Sequence, residues 1–216
     1  MDRDGIAVTA YRWMTLLLAL GFLLYQLLRA DYASFGGPFR FLTIWALCFS
    51  CASALAMLCV SLDATERRWH GLATVTALLN VMVVFLYWRL FRIDPGLVNG
   101  GAGLPPMLDH YLHAVGPGLQ IADALFLGQV FRRVLRAVPA LLLVIGAYVA
   151  WSEGVVRGAN DMPAGRVTSG LPYPFLNDMT GAERLVYYLV NTGLALAALA
   201  GLTALGWAIR RAFPRG

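Results

Sequence analysis

The feature that most constrains this chain is a series of apolar runs, each long enough to cross a lipid bilayer as a helix. The hydrocarbon core of a bilayer is about 30 Å thick, so a spanning helix needs roughly 20 mostly apolar residues. The connections between the runs are short, and 59% of the chain is hydrophobic whereas only 13% is charged. A soluble domain of this composition could not present a sufficiently polar surface to water. The sequence therefore predicts a membrane protein.

We expect an all-α, polytopic fold: a single bundle of about six transmembrane helices that occupies residues 1–216 as one domain. The predicted spans are Val8–Leu28, Phe41–Leu62, Gly71–Tyr87, Met107–Phe131, Val138–Trp151 and Leu185–Ile209. The first of them is predicted to be a retained helix and not a cleaved signal peptide. Its leading segment carries two aspartates against two arginines, and no clear cleavage site follows it.

The formal net charge of +5 comes from 17 basic residues, all of them arginines at or near predicted helix ends. This distribution indicates membrane topology and argues against a nucleic-acid-binding patch. Seven arginines fall on the side of the long Gly- and Pro-rich connections, and ten on the side of the termini. The ten are Arg3, Arg12, Arg67, Arg68, Arg132, Arg133, Arg136, Arg210, Arg211 and Arg215. The positive-inside rule then predicts cytoplasmic termini.

The fourth predicted span carries an unusual set of polar side chains for a membrane helix. At about 100° per residue, Asp109, His113, Pro117 and Gln120 share one stripe, which must face the bundle interior because ionisable groups are costly in hydrocarbon. A histidine with a carboxylate one turn away has the geometry of an oriented base. It has equally the geometry of a satisfied buried pair, and the spacing alone leaves both interpretations open.

A threonine, Thr43, lies about one turn inside the second span, after the loop sequence "FGGPFR". A threonine in a membrane helix usually donates back to the carbonyl one turn earlier, here that of Phe39. Its hydroxyl is also a candidate nucleophile if a base lies within reach. The residues by themselves favour the first interpretation.

The remaining conspicuous residues are predicted to be structural. Asn80 and Asn191 are expected to form interhelical hydrogen bonds. His70 lies at the opposite membrane face from the other two histidines, which argues against paired haem ligands. We expect no metal site and no cofactor. The three cysteines are expected to be packing residues inside an apolar helix, where no exposed helix N-terminus activates a thiolate: Cys48, Cys51 and Cys59.

Three stretches, in this order, resemble the signature motifs of the androgen-induced family of transmembrane threonine hydrolases, which cleave fatty-acid esters of hydroxy fatty acids, and of its bacterial six-helix branch. They are "SFGGPFRFLT" at residues 34–43, "DHYLHAVGP" at 109–117 and "PYPFLNDMTG" at 172–181. The chain departs from the family pattern at Arg40, where lysine is common, at Asp109, where animal members have asparagine, and at Ala114, where threonine often follows.

The resemblance implies that Thr43 is the nucleophile and His113 its base. Asp109, Arg40, Gly36, Gly37, Gln120 and Asp123 are then candidates for orienting the base or supporting an oxyanion. The substrate cavity is expected to include His110, Tyr173 and Phe175, although "PYPF" has the composition of an interface anchor as much as that of a lid.

The resemblance further implies a lipid ester as substrate, the bilayer as surroundings and the bacterial inner membrane as location. No nucleic-acid partner is expected, and the oligomeric state is left open. The alternative is a non-enzymatic lipid-binding scaffold or a small transporter with a polar site inside the bundle. A transporter needs a polar path to both faces, whereas the ionisable residues here cluster near one face.

Overall fold

The computed structural model describes residues 5–67, 69–99, 104–132, 134–160 and 170–212. Part of the predicted glycine-rich connection, residues 100–103, lies outside the described residues. So do five of the arginines used in the topology prediction: Arg3, Arg68, Arg133, Arg166 and Arg215.

Six long helical segments follow one another, as the apolar runs predict. They are α1 (Gly5–Arg29), α2 (Leu42–Ser61), α3 (His70–Ile93), α4, α5 and α6 (Gly181–Ala212). The fourth, α4, comprises Pro106–His110, Tyr111–Val115, Gly116–Ala122 and Asp123–Leu127, and α5 comprises Val138–Trp151, Ser152–Val156 and Arg157–Ala159. Short helical turns at Gly37–Arg40, Gly96–Asn99, Val134–Arg136 and Pro174–Asn177 lie between them.

Among the described residues, five of the six segments are long and apolar enough to cross a membrane, and α4 is the exception. Two turns of π-helix interrupt α4, at Tyr111–Val115 and Asp123–Leu127. In each of them the backbone hydrogen bond spans one residue more than in an α-helix. The all-helical, polytopic membrane bundle predicted from the apolar runs is confirmed.

Burial divides the bundle into a centre and a periphery. In α2 and α3, 56% and 61% of the most apolar window is buried inside the protein. The corresponding shares are 22% in α1 and 11% in both α5 and α6, whose apolar faces are left for lipid. The polar side chains of α4 pack against α3 and α1, so the polar stripe does face the interior.

The long connections lie at one end of the bundle. Phe35 N–H donates to Asn160 Oδ1 at 2.7 Å, and Asn160 Nδ2 donates back to the Phe35 carbonyl at 3.2 Å. This pair ties the loop after α1 to the end of α5. Gly36, which has φ +87°, lies under the same contact, and a Cβ there would come within 3.3 Å of the Trp151 ring. Glycine is therefore required on both conformational and steric grounds.

Two of the predicted structural roles can be compared with the contacts. Asn80 Nδ2 donates to Ser50 Oγ at 2.9 Å and so joins α3 to α2, as predicted. Asn191 instead donates to the Tyr187 carbonyl of its own helix, and its Oδ1 is buried without a partner among the described residues. The prediction of an interhelical bond at Asn191 is wrong because the nearest acceptor lies one turn earlier in α6. Cys48, Cys51 and Cys59 are free, and Cys51 packs in an apolar cluster.

Arg12 and Arg184 form buried ion pairs, a role that the topology prediction does not assign to them. Arg12 is only 1% exposed and pairs with Asp123. Arg184 is 5% exposed and pairs with Glu153 at 2.8 Å. Since the two residues were assigned to opposite sides, setting them aside leaves the size of the arginine bias unchanged.

Candidate functional site

A cavity of about 500 Å³ lies among α2, α3, α4, α5 and α6, next to the end that holds the long connections. Its size is typical of a small-molecule or lipid site. One part of its wall is polar and lies near the end of α1: Gln26, Arg29, Asp31 and Arg40. Another part is apolar and lies deeper in the bundle: Leu78, Leu79, Leu141, Val144, Ile145 and Ala195. The cavity is therefore amphipathic along its length.

Thr43 and His113 both line this cavity. Thr43 is the second residue of α2 and is half-buried. The Phe39 carbonyl, which would accept its hydroxyl in an ordinary membrane helix, instead accepts the indole N–H groups of Trp45 at 2.9 Å and Trp151 at 3.1 Å. No hydrogen bond within the described part of the chain holds the Thr43 hydroxyl.

His113 is buried and held on three sides. Its Nδ1 lies 3.0 Å from Asp109 Oδ1 and 3.1 Å from the Asp109 carbonyl oxygen. Its ring stacks on that of Tyr87, with centroids 3.5 Å apart and planes 3° from parallel. The Tyr87 hydroxyl in turn donates to Asp109 Oδ1 at 2.5 Å. We call Asp109, His113 and Tyr87 the histidine cluster.

This arrangement fixes which imidazole nitrogen carries the proton. An ionised carboxylate only accepts hydrogen bonds, so the nitrogen next to Asp109, Nδ1, is the N–H donor. The other nitrogen, Nε2, then has its lone pair available, and no hydrogen-bond partner for it occurs among the described residues. A neutral histidine in this tautomer can accept a proton at Nε2.

Pro117 explains the backbone around His113. A proline has no N–H, so the carbonyl four residues earlier, that of His113, loses its helical donor. The indole N–H of Trp88 replaces it, at 2.8 Å. The Gly116 N–H reaches back to the Tyr111 carbonyl and closes the π turn that contains His113. The proline of "HAVGP" thus leaves the His113 carbonyl without a helical donor, and Trp88 of α3 supplies one.

Several other predicted site residues do not reach the cavity, so far as the described residues define it. Gln120 donates to the Ser50 carbonyl at 3.2 Å, and His110 is exposed and bonds to the Pro106 carbonyl. Asp109 orients His113 without lining the cavity itself. The expectation that His110 contributes to the cavity wall is not met, because its side chain lies on the exposed side of α4.

Asp123 is likewise engaged elsewhere, in what we call the ion-pair cluster of Arg12, Asp123 and Ser61. Arg12 Nε and Nη2 each donate to one carboxylate oxygen of Asp123, both at 3.1 Å. Arg12 Nη1 donates to Ser61 Oγ at 2.6 Å and to the Met57 carbonyl at 3.1 Å. The ten residues between His113 and Asp123 correspond to about 15 Å along a helix. The predicted supporting role of Asp123 at Thr43 and His113 is therefore not compatible with this geometry.

Gly37 and Arg40 line the same cavity as Thr43, and each has one hydrogen-bonding group engaged within its own loop. The Gly37 N–H donates to the Ser34 carbonyl at 3.1 Å, so it is not available to an oxyanion. Arg40 lines the cavity, yet its Nε donates to the Gly37 carbonyl at 3.1 Å. Tyr173 and Phe175 also line the cavity, and the Tyr173 hydroxyl accepts the Leu42 N–H at 3.2 Å.

Sequence reasoning missed Tyr87 and Trp88. Both belong to "FLYWRL" near the end of α3, where aromatic residues are common as membrane-interface anchors. The available signal was their depth: they lie within two turns of the end of α3, on the same side of the membrane as the start of α4.

Neither the curated proteins nor the solved structures contain a match to this chain. A family model described as FAR-17a/AIG1-like protein matches residues 7–206 and so covers all six helices but for their outermost residues. The three sequence motifs, the six-helix bundle and this match agree, and the chain belongs to the FAR-17a/AIG1-like, androgen-induced family.

Proposed function

We propose that this protein is a membrane-embedded hydrolase of lipid esters, in which Thr43 is the nucleophile, His113 the general base and Asp109 the group that orients the base. The observation that carries the proposal is the shared cavity wall: an uncommitted threonine hydroxyl and a histidine whose Nδ1 is committed to a carboxylate line the same cavity. The family is associated with hydrolase function, which supports the same conclusion.

The proposed reaction has two halves. His113 Nε2 takes the Thr43 proton while Thr43 Oγ bonds to the ester carbonyl carbon, and the carbonyl electron pair moves onto oxygen. When that pair returns, the bond to the alcohol oxygen breaks and the protonated His113 gives its proton to the leaving alcohol. Water then attacks the acyl-threonine with the same base, and a carboxylic acid and free Thr43 result.

Asp109 contributes in two ways under this proposal. It holds the imidazole in the tautomer that presents Nε2 as a base, and its charge stabilises the imidazolium that forms after proton transfer. The Tyr87 hydroxyl fixes the carboxylate, and the Tyr87 ring fixes the plane of the imidazole. Rigid support of this kind keeps a catalytic side chain in its productive orientation.

The amphipathic cavity favours a long-chain ester. From Tyr87 to Leu78 the wall follows α3 for about 13 Å at 1.5 Å per residue, which provides an apolar arm for an acyl chain. The polar end, with Arg29 and Arg40, suits a charged or hydrated head. A fatty-acid ester of a hydroxy fatty acid, the substrate type that the family resemblance implies, has both parts.

The test is hydrolysis of a mixed pool of long-chain esters by the detergent-purified protein, followed by mass spectrometry. We expect Thr43→Ala to lower turnover by about 10⁴-fold or more, and Thr43→Ser to retain part of it, because only the alanine variant lacks a nucleophile. Thr203→Ala is the matched control, since Thr203 is bonded back to the Leu199 carbonyl outside the cavity.

A fluorophosphonate probe should label the wild type at Thr43 and should leave Thr43→Ala unlabelled. Persistent hydrolysis by folded Thr43→Ala would overturn the nucleophile assignment. Lipid retained by the wild type without any turnover would instead indicate the alternative, a lipid-binding scaffold.

We also propose that the protein lies in a bacterial inner membrane with both termini in the cytoplasm, because arginines are more numerous on that side. The cavity would then lie in the opposite half of the membrane. In a cysteine-free background, an impermeant thiol reagent added to spheroplasts should label Asp178→Cys and spare Arg67→Cys. The reverse pattern would invert the orientation.

A further inference from the structure

Tyr173 lies where the last of the three motifs meets the start of α2. It belongs to the connection between α5 and α6 and lines the cavity. Its ring meets that of Phe41 edge-on, with centroids 5.8 Å apart. Its hydroxyl lies 3.2 Å from the backbone nitrogen of Leu42, the residue directly before Thr43.

The segment that carries Tyr173 is held by hydrogen bonds between Leu171 and Asn177, one on each side of it. Asn177 is completely buried, its Oδ1 accepts the Leu171 N–H at 3.1 Å, and its Nδ2 donates to the Leu171 carbonyl at 2.9 Å. Prolines on both sides of Tyr173, Pro172 and Pro174, further restrict the backbone. The backbone that carries Tyr173 is therefore restricted by its own contacts.

The hydrogen-bonding capacity of this hydroxyl is only partly used by Leu42. A phenol can accept through oxygen and can donate its single proton. The Leu42 N–H occupies an acceptor site, and the Tyr148 side chain is a second hydrogen-bonding neighbour of this hydroxyl. Because the Tyr148 hydroxyl donates its own proton to the Arg40 carbonyl at 3.0 Å, the Tyr173 proton can be donated to the Tyr148 oxygen or to an anionic oxygen in the cavity. Burial raises the pKa of the Tyr173 phenol, although the hydrogen bonds with Leu42 and Tyr148 act in the opposite direction.

The same location is the N-terminus of a long helix. The first N–H groups of α2 lack intrahelical acceptors, and they place partial positive charge beside Thr43. A negative oxygen that forms when Thr43 attacks a carbonyl would lie in this field. The Gly37 N–H is engaged with Ser34, whereas the Tyr173 hydroxyl lies 3.2 Å from the Leu42 nitrogen and lines the same cavity wall as Thr43.

We infer that the Tyr173 hydroxyl is a third catalytic group, which donates a hydrogen bond to the oxyanion of the tetrahedral intermediate at Thr43. The inference rests on the proposed function. Oxygen gains the carbonyl electron pair as the bond to Thr43 Oγ forms and returns it as the bond to the leaving alcohol breaks. Tyr173 keeps its proton throughout, so the step needs no further reactant.

The competing explanation is that Tyr173 only caps α2 through Leu42. Tyr173→Phe removes the cap and the donor together and keeps the ring contact with Phe41, so the two explanations are separated by the kinetic readout. We expect kcat to fall about 10²-fold, as is typical of a lost oxyanion donor, with KM changed by less than about threefold. Tyr32→Phe is the control, since that hydroxyl bonds to the Leu27 carbonyl outside the cavity.

Inhibitor binding gives a readout that a cap would not change. A long-chain trifluoromethyl ketone forms an anionic adduct with a nucleophile, whereas the corresponding alcohol cannot. Tyr173→Phe should weaken the ketone about 10²-fold and leave binding of the alcohol unchanged. Equal weakening of both compounds, or unchanged kcat, would overturn the inference.

A second variant applies if Tyr173→Phe fails to fold. Replacement of Tyr173 by 3,5-difluorotyrosine keeps ring and hydroxyl but lowers the phenol pKa. Hydrolysis should then decline as pH rises through the new pKa, because a phenolate cannot donate. Ionisation of the phenol would strengthen its hydrogen bond from the Leu42 N–H, so a residue that only caps α2 would show no such decline. An unaltered pH profile of hydrolysis would therefore refute the catalytic role. Absence of Thr43-dependent turnover in the wild type would instead refute the proposed function.

Discussion

The two polar clusters attached to α4 lie in opposite halves of the bundle and differ in how completely they are satisfied. In the ion-pair cluster, all three guanidinium nitrogens of Arg12 and both oxygens of Asp123 have protein partners. In the histidine cluster, Nδ1 of His113 has partners, while Nε2 has none among the described residues and the side chain lines a cavity.

This difference separates structural from chemical use of the same residue types. A buried charged group whose hydrogen bonds are all made inside the protein has no free donor or acceptor for a ligand. A buried base with one committed and one uncommitted nitrogen is oriented and still reactive. Four substitutions test that distinction.

Removal of one partner from the ion-pair cluster should have the largest effect on stability. Asp123→Ala leaves the buried Arg12 guanidinium without a counter-ion and should destabilise the fold by about 3–5 kcal/mol. Thermal unfolding in detergent measures this loss, and Arg12→Met combined with Asp123→Leu should recover most of it. Loss of turnover from a well-folded Asp123→Ala protein would contradict the purely structural role.

Asp109→Asn should show the opposite pattern. The amide is nearly isosteric, so the fold should persist, but it no longer enforces the tautomer with a free Nε2 or stabilises an imidazolium. We expect kcat to fall by about 10²- to 10⁴-fold. Asp94→Asn provides a matched control, because Asp94 accepts the Gly96 N–H in an exposed turn at the same end of the bundle. An unchanged rate in Asp109→Asn would remove Asp109 from the mechanism.

Tyr87→Phe is a milder change within the histidine cluster. It keeps the ring that stacks on His113 and removes the hydroxyl that fixes Asp109. Loss of such supporting hydrogen bonds typically costs 10- to 100-fold, and we expect about 10-fold in kcat. Because the hydroxyl acts through Asp109, Tyr87→Phe should add little to Asp109→Asn in the double variant. Full additivity would show an independent role.

Trp88→Phe should have the smallest effect, since it removes a single hydrogen bond to the His113 carbonyl. We expect a loss of about 1 kcal/mol in stability and a few-fold loss in turnover. Pro117→Ala in the same background supplies a backbone N–H four residues after His113 and should recover part of the stability. If it recovers nothing, the carbonyl does not need a donor.

The helices of this protein follow from its sequence more readily than its contacts do. Apolar runs of membrane length predict α1 to α6 because the bilayer imposes length and composition on a span. The polar stripe of α4 was predicted to face inward for the same reason. Thr43 and His113 came from a family resemblance, and the structure adds that both line one cavity.

The partners of the polar side chains could not be predicted, because they come from distant segments. Asp123 and Arg12 are 111 residues apart in the chain, and Tyr87 reaches Asp109 from the preceding helix. The sequence places Arg12 among the boundary residues, because position along a span does not reveal a partner on another helix. Asp109 itself was identified as a candidate because an i, i+4 contact is visible in the sequence.

The separation between Arg12 and Asp123 also bears on how the protein is made. An arginine within a membrane helix opposes insertion, by about 2.5–3.5 kcal/mol at the helix centre and by less near an end, and Arg12 lies about two turns inside α1. The ribosome produces α1 before α4, so Arg12 has no counter-charge until two further helices have been synthesised. The full stability of α1 therefore depends on the helix that also carries His113.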